Sequence, residues 1–351
     1  MRPIEELMLE LVGVQSDTGT AMERAMAEKI LSLIKECPYF VAHPELCGMY
    51  EEDDVLHRPV VWALRKGSGN RTVILHGHYD AVEIDTYGVL KPYALSPALL
   101  KERMLAMRFG DEELHRDLRD EDWCFGRGVA DMKAGVAINL HTLFTNGNEA
   151  VNILFVAVPD EENLSFGALQ AVGLFEGLKK RCALDYRLAI ITEPQIRGSG
   201  AGGPIQLIQG STGKILPVIL AKGVLTHSAD LMNGLNSAFI LSEIVRDVEL
   251  RTDMVSEDDG AFAQPPATLF MRDLKAAYDV SLPEYSAACL NILFLRSKEP
   301  MSIVESLRRI SADALRSAVD KYESAFDFMA QKGFVDKSSR RRSGFTGTRT
   351  N

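Results

Sequence analysis

The sequence predicts an α/β protein with a mostly parallel sheet, helices on both faces of that sheet, and a smaller α+β unit after it. Up to Thr192, short apolar runs alternate with helical patterns, which is typical of a largely parallel sheet. The chain has 351 residues, and at about 150 residues per domain this length suggests two domains. Near Thr212 the pattern changes to that of a compact α+β unit, so we place the domains at 1–211 and 212–330.

Two amphipathic helices are predicted at the start of the chain. The first places four apolar side chains on one face: Ile4, Leu7, Met8 and Leu11. The second has capping-box spacing between Thr20 and Glu23. It should end near Cys37, because Pro38 disfavours the helical conformation in the residue before it.

Four apolar or β-branched runs predict buried strands, at 60–64, 72–75, 151–158 and 188–192. Two helical patterns, at 131–144 and 166–178, accompany them. The charged, proline-punctuated segment between Tyr87 and Trp123 predicts a helical excursion over the surface and contains no catalytic pattern.

The second unit is predicted to contain two strands and two helices. In chain order these are a strand at 214–222, a helix at 235–250, a strand at 288–296 and a helix at 303–322. After them, residues 331–351 lose apolar periodicity and carry three consecutive arginines from Arg340. We expect this segment to be a disordered basic tail rather than a nucleic-acid-binding arm.

Composition favours a small ligand over nucleic acid or a membrane. Lys and Arg number 39 against 49 Asp and Glu, for a net charge of -10, which opposes broad binding to phosphate backbones or anionic lipid. No apolar run approaches the roughly 20 residues of a membrane-spanning helix, and the acidic N-terminus is unlike a secretory signal. The five cysteines form no CxxC motif, so we expect reduced thiols and a cytoplasmic location.

Potential metal ligands follow the predicted strands. In an open parallel sheet, ligands bind beyond the carboxyl ends of the strands. The residues at these positions are His76, His78 and Asp80 after the second run, Asp131 at the start of the next helix, Asp160, Glu161 and Glu162 after the third run, and Glu193 after the fourth. Each residue alone is weak evidence for a metal site, because acidic residues after a strand often cap the next helix. Their coincidence predicts one shared site.

A divalent cation would explain such a cluster. Several carboxylates close together repel one another unless a cation neutralises them. Nitrogen and oxygen ligands without sulfur suit Zn2+, with Co2+ or Mn2+ as alternatives. The neighbouring side chains of Glu161 and Glu162 point in opposite directions in extended backbone, so one can bind metal while the other handles a proton. That division suits metal-assisted hydrolysis.

Four motifs, in order, resemble those of one enzyme family. HGHYDAV, GRGVADMKAG, PDEENLSFGA and TEP resemble the two-zinc amidohydrolases, which include aminoacylase, acetylornithine deacetylase, succinyl-diaminopimelate desuccinylase and glutamate carboxypeptidase. KGVLTHSADLMNGLNSAF resembles the start of that family's lid domain. The resemblance runs from about residue 4 to 325 and is strongest to the arginine-utilisation branch. It implies hydrolysis of an amide bond in an N-acyl amino acid or small peptide.

The resemblance also implies roles for individual residues. By motif, His78, Asp131, Glu162 and Glu193 match metal ligands, with Asp131 bridging the two ions. Asp80 matches the acid that orients the imidazole of the histidine ligand, and Glu161 matches the general base. His227 matches a lid histidine that reaches a partner subunit's active site, which implies a homodimer through the lid domain. His76 is expected to serve in the core or behind the ligands.

The sequence departs from the family in one respect. The family's last metal ligand is a histidine near its C-terminus, whereas the seventh and last histidine here is His227. We therefore expect one tightly held metal ion and one weak site, and a catalytically inactive truncated relative or a binding protein is the alternative reading. A nucleotide-binding protein is disfavoured, because GSGAGG at 198–203 and GSTGK at 210–214 lack the required context and read as turns.

Overall fold

The computed structural model describes residues 2–147, 150–194 and 207–336. The chain divides into two compact units, Met1–Ile205 and Gln206–Asn351. The domain boundary predicted at 211 lies close to this division. Of the two glycine clusters predicted to be turns, the one at 198–203 lies outside the described residues, as does most of the predicted basic tail. The cluster at 210–214 runs into a short strand that begins at Gly213.

The first unit contains five strands and seven α-helices among its described residues. The strands are β1 (Cys47–Tyr50), β2 (Val60–Arg65), β3 (Arg71–His78), β4 (Asn152–Val158) and β5 (Asp185–Ile191). The helices are α1 (Ile4–Val12), α2 (Glu23–Glu36), α3 (Pro38–Ala42), α4 (Pro97–Leu105), α5 (Glu112–Arg119), α6 (Ala134–Thr145) and α7 (Phe166–Cys182).

The five strands form one mixed sheet in the order β1-β2-β4-β3-β5. Strands β4 and β5 both pair with β3 in parallel, whereas β2 is antiparallel to β4 and β1 is antiparallel to β2. The α/β class is confirmed, with the parallel strands grouped at one side of the sheet. All seven residues of β4 are buried, so helices cover both faces of the sheet at its centre.

Apolar faces of the helices form the core of the first unit. Helix α6 packs against β3, β4 and α1, while α7 packs against β4, β2 and β1. The predicted helical faces are largely buried: Leu7 and Leu11 of α1 and Met26 and Ile30 of α2 are fully inaccessible to solvent. Helix α2 ends before Pro38, as predicted.

The second unit is a small sheet packed against two helices. Its strands are β6 (Gly213–Ile215), β7 (Val218–Lys222), β8 (Glu257–Asp258), β9 (Ala261–Phe262), β10 (Ala267–Asp273) and β11 (Tyr285–Phe294), and its helices are α8 (Ser237–Val248) and α9 (Pro300–Gln331). Strand β11 pairs with β10 on one side and with β6 and β7 on the other. The α+β prediction is confirmed, but a break at 216–217, which includes Pro217, divides the predicted strand at 214–222 into β6 and β7.

Among the residues that the structure describes, no helix combines the length and the apolar character needed to cross a lipid bilayer. Helix α9 is the longest of those described, with 32 residues. Its buried face includes Ile303, Leu307 and Ile310, which pack in the core of the second unit.

Candidate metal centre

The parallel strands bring three of the predicted motifs to one edge of the sheet. The register pairs His78 at the end of β3 with Val158 at the end of β4. It also pairs His76 with Ile191, the last residue of β5. Side chains that follow these strands therefore start from neighbouring positions. This explains why motifs more than 100 residues apart can form one site.

Three of the predicted ligands converge at this edge. One donor atom from each of His78, Asp131 and Glu193 lies within 4.8 Å of the others. The His78 Nε2 atom is 2.9 Å from Asp131 Oδ1 and 3.7 Å from Glu193 Oε1. Among the described residues, this is the one group of three or more potential ligands that meets such a distance limit.

The imidazole of His78 is held from behind by Asp80. Both residues are buried, and His78 Nδ1 lies 3.0 Å from the Asp80 carbonyl oxygen and 3.3 Å from Asp80 Oδ1. These contacts leave Nε2 directed toward the other ligands. Asp80 also accepts hydrogen bonds from the backbone N–H groups of Glu161 and Glu162, at 3.1 Å each. One buried carboxylate therefore orients both the histidine and the turn that follows β4.

The carboxylates of the site repel one another. Burial, together with the charges of Asp131 and Glu161, raises the pKa of Glu193 to about 7. Burial and the Asp131 charge also raise the pKa of Glu162. Burial alone would lower the pKa of His78, but Asp80 and the nearby glutamates raise it to about 9. A divalent cation would relieve this repulsion and replace the proton on the imidazole.

The types of donor atom in the converging group suit a divalent metal ion. One imidazole nitrogen and carboxylate oxygens from two acids suit Zn2+ and similar divalent ions. The side chains of Asp131 and Glu193 remain about half exposed, at 52% and 41%. The buried histidine is therefore fixed, while the acidic side of the site stays open to solvent.

The two glutamates after β4 lie in a turn, not in the extended backbone expected from the sequence, and they differ in their surroundings. Glu161 Oε2 lies 4.0 Å from His78 Nε2, and its side chain is 45% exposed. Glu162 is half-buried and is not part of the converging group of three. The ligand role predicted for Glu162 and the general-base role predicted for Glu161 stay predictions.

Asp131 lies in an irregular turn just before α6. Gly128 adopts a left-handed conformation with φ of 71° and precedes the π-helical turn Val129–Lys133. The peptide bond between Asp131 and Met132 is cis. Lys133 is buried, and its Nζ donates to the Val14 carbonyl oxygen at 2.8 Å, which links this turn to the loop after α1. Burial lowers the pKa of Lys133 to about 8.

His76 and His227 lie outside the converging group. The His76 side chain is largely buried, its Nδ1 atom has no hydrogen-bond partner among the described residues, and burial lowers its pKa to about 4. His227 belongs to the second unit, where its Nδ1 accepts a hydrogen bond from the Ala229 N–H at 3.1 Å. The lid role of His227 stays a prediction.

A buried charge network that no sequence motif indicates lies behind the Glu161–Glu162 turn. It consists of Arg58, Glu23, Asp54 and Asp160. The position of Asp160 after the third apolar run suggests a metal ligand, but its carboxylate binds Arg58 instead. The other local signal is the capping-box spacing, which assigns Glu23 to a helix terminus. That part is confirmed, because Glu23 Oε1 accepts hydrogen bonds from Gly19 and Thr20 N–H, but its link to Arg58 spans 35 residues.

Comparison with known proteins identifies the family. Residues 74–325 match Peptidase family M20/M25/M40. The match covers all four ligand motifs of the first unit and most of the second. The chain belongs to this family.

Two curated relatives come from Bacillus subtilis (strain 168). The uncharacterized protein YqjN is 35% identical over 294 residues, which are 83% of this chain and 53% of YqjN. Protein RocB is 30% identical over 346 residues, which are 95% of this chain and 60% of RocB. The chain thus spans little more than half the length of these relatives.

Solved structures share the fold at low sequence identity. The M20 family metallo-carboxypeptidase Sso-CP2 from Sulfolobus solfataricus has a TM-score of 0.56 at 15% identity, covering 90% of this chain and 76% of that one. A Staphylococcus aureus tripeptidase has a TM-score of 0.54 at 14% identity, covering 91% and 72%. The dipeptidase Dug1p from Saccharomyces cerevisiae has a TM-score of 0.54 at 12% identity, covering 90% and 74%.

Proposed function

We propose that the first unit binds a divalent metal ion and hydrolyses a peptide-type amide bond, with Glu161 as general base. The convergence of His78, Asp131 and Glu193 donors within 4.8 Å carries this proposal. Membership of a peptidase family supports it independently.

The proposed metal is Zn2+, with Co2+ or Mn2+ as substitutes. His78, Asp131 and Glu193 would hold one ion tightly, since they supply three protein ligands. A second ion would share Asp131 and use Glu162, which leaves it with two ligands from the described residues. We therefore propose one tight and one weak site per chain.

The side chains around the ion would divide the chemical work. A divalent ion supplies Lewis acidity, which acidifies water and polarises the scissile carbonyl. The Glu161 carboxylate would accept the proton of the attacking water at Oε2 and deliver it to the leaving amine. Asp80 would hold the imidazole of His78 in one orientation throughout.

The proposed substrate is an N-acyl amino acid or a small peptide. The similar solved proteins are described as a metallo-carboxypeptidase, a tripeptidase and a dipeptidase, which supports a peptide-type bond. The motif resemblance to the arginine-utilisation branch supports a role in arginine utilisation, and we propose that role. Arginine-containing substrates therefore belong in the first assay panel.

Two further proposals concern the second unit and the location of the protein. We propose that the second unit mediates a homodimer in which His227 polarises the substrate carbonyl of the partner site. Sedimentation equilibrium of the purified chain tests the dimer.

All five cysteines are free thiols, which supports a reducing, cytoplasmic location.

The test of the function is the Glu161→Gln variant. We expect the wild type to hydrolyse N-acetyl amino acids or dipeptides in a chelator-sensitive manner. Glu161→Gln should keep its metal and lose about 100-fold or more in kcat. Glu176→Gln, an exposed position on α7, is the matched control and should keep full activity.

Two results would contradict this proposal. Hydrolysis that persists in chelator would remove the metal from the reaction, and full activity of Glu161→Gln would remove the general base. Metal binding without any turnover would instead identify the chain as a binding protein built on this scaffold.

A further inference from the structure

The turn that carries Glu161 and Glu162 is held on two sides. Asp80 accepts the backbone N–H groups of Glu161 and Glu162 on the side of the metal ligands. On the other side lies Asp160, which is buried and adopts a left-handed conformation with φ of 63°. A left-handed non-glycine residue needs support from its surroundings, and Asp160 receives that support from distant parts of the chain.

Two side chains hold Asp160 by both its backbone and its carboxylate. The Asp160 N–H donates to Glu23 Oε2 at 2.8 Å. Arg58 Nη1 donates to Asp160 Oδ1 at 2.5 Å. The second carboxylate oxygen of Asp160 accepts the Phe166 N–H at the start of α7. The residue before the two glutamates is thus fixed from three directions.

Arg58 is itself fixed by a fork of hydrogen bonds to Asp54. Its Nε and Nη2 atoms donate to the two Asp54 carboxylate oxygens at 2.9 and 3.2 Å. Its Nη1 atom also lies 3.3 Å from Glu23 Oε1. The Arg58 side chain is 7% exposed, and those of Glu23, Asp54 and Asp160 are 3% exposed or less. A planar guanidinium with five donors suits this arrangement, whereas an ammonium group does not.

We propose that Arg58 is a positioning residue for the Glu161–Glu162 turn, acting through Asp160. This inference rests on the proposed function, since it assigns Arg58 to the placement of the general base and of the ligand of the weaker metal site. Arg58 touches neither glutamate side chain in the contacts described. Its action therefore passes through the backbone of the turn.

The test compares variants that break the guanidinium contacts to different degrees. Arg58→Met removes the charge and the fork, Arg58→Lys keeps the charge, and Asp54→Asn disturbs Arg58 without touching Asp160. The matched control is Arg65→Met. Arg65 lies at the other end of β2, where its guanidinium donates to the Leu143 and Phe144 carbonyl oxygens, far along the strand from the turn.

The first readout is hydrogen exchange of a peptide covering residues 160–166 in the metal-free chain. We expect Arg58→Met to exchange at least about tenfold faster there than Arg65→Met, with Arg58→Lys and Asp54→Asn in between. Equal exchange in Arg58→Met and Arg65→Met, or an effect spread evenly over the first unit, would overturn the inference. If Arg58→Met does not fold, the same comparison is made with Arg58→Lys and Asp54→Asn.

The second readout is Co2+ titration followed by visible absorption. The tight site should fill normally in Arg58→Met, while binding at the weaker site should fall by about 10- to 100-fold. Unchanged Co2+ binding at both sites would overturn the positioning role. A wild type that binds no Co2+ would refute the proposed function, and the exchange measurement would then decide the positioning role alone.

Discussion

At the scale of single residues, the site depends on buried charges that serve more than one partner. Asp80 is fully buried, yet it contacts the imidazole of His78 and the backbone of Glu161 and Glu162. Burial would raise the pKa of Asp80, but the hydrogen bond and charge of His78 hold it below its usual value. The carboxylate is therefore ionised over the whole neutral range.

The first prediction concerns this shared carboxylate. Asp80→Asn removes the charge that stabilises the imidazole and weakens the anchor of the following turn. We expect Zn2+ affinity to fall by about 10- to 100-fold, measured by isothermal titration calorimetry. Asp85→Asn is the control, because Asp85 is exposed and pairs only with Lys91 in the ion pairs described. Equal affinity of Asp80→Asn and wild type would contradict the role of Asp80.

The second prediction concerns pH in the metal-free chain. The pKa of His78 is raised to about 9 from an unfolded value near 6.5. Its charged form therefore stabilises the fold fully below about pH 6.5, and this contribution disappears as the pH rises through about 9. With chelator present, Tm should fall more steeply across this range in the wild type than in His78→Gln. Parallel Tm curves would refute the shift.

At the scale of elements, helix α6 sets the position of the end of β5. Asn139 of α6 donates to the His76 carbonyl oxygen and to Thr192 Oγ1, at 3.2 and 3.0 Å. A Cβ atom at Gly135 would lie 2.3 Å from the Thr192 carbonyl oxygen. The close approach of α6 to Thr192 thus requires glycine at position 135. Thr192 directly precedes Glu193, the proposed metal ligand.

The third prediction uses this close contact. Gly135→Ala should lower the free energy of unfolding by about 1–3 kcal/mol and weaken metal binding, because the strand end must move. Gly177→Ala is the control: this exposed helical position has nothing within 4 Å of the added Cβ, so it should gain up to about 1 kcal/mol. Chemical denaturation of both variants checks the pair, and a harmless Gly135→Ala would contradict the packing account.

How far the sequence predicts the structure depends on how local the signal is. The strands before His78 and Glu193 and the helices α1, α2 and α7 are marked by their own periodicity, so they were predicted from short segments. No prediction covers strands β1 and β10, although each pairs with a strand nearby in sequence. Strand β1 has only four residues and β10 exposes five of its seven, so neither forms the continuous buried run that marks the predicted strands. The contact of Arg58 with Asp160 in the buried charge network is not predictable either, because the two residues are 102 positions apart and no motif connects them.

At the scale of the whole molecule, β5 lies at the edge of the first sheet and exposes apolar side chains. Leu188 and Ile191 are 54% and 59% exposed, and Ile190 is 40% exposed. Alternate residues of a strand point to opposite faces, so both faces of β5 are exposed. An apolar edge of this kind favours self-association.

The fourth prediction follows from this edge. Ile191→Lys should reduce concentration-dependent association of the chain, measured by analytical ultracentrifugation, because a charged side chain blocks pairing at an edge. Leu99→Lys, at an exposed position on α4, is the matched control and should leave association unchanged. If both variants behave alike, the β5 edge is not the surface that associates.

The metal content of the purified chain tests the central claim most directly. After Zn2+ loading and dialysis, elemental analysis should give about one tightly held ion per chain, and Glu193→Gln should reduce it well below one. Two tightly held ions would contradict the weak second site while retaining the first. No metal in the wild type would contradict the claim that His78, Asp131 and Glu193 form a metal site.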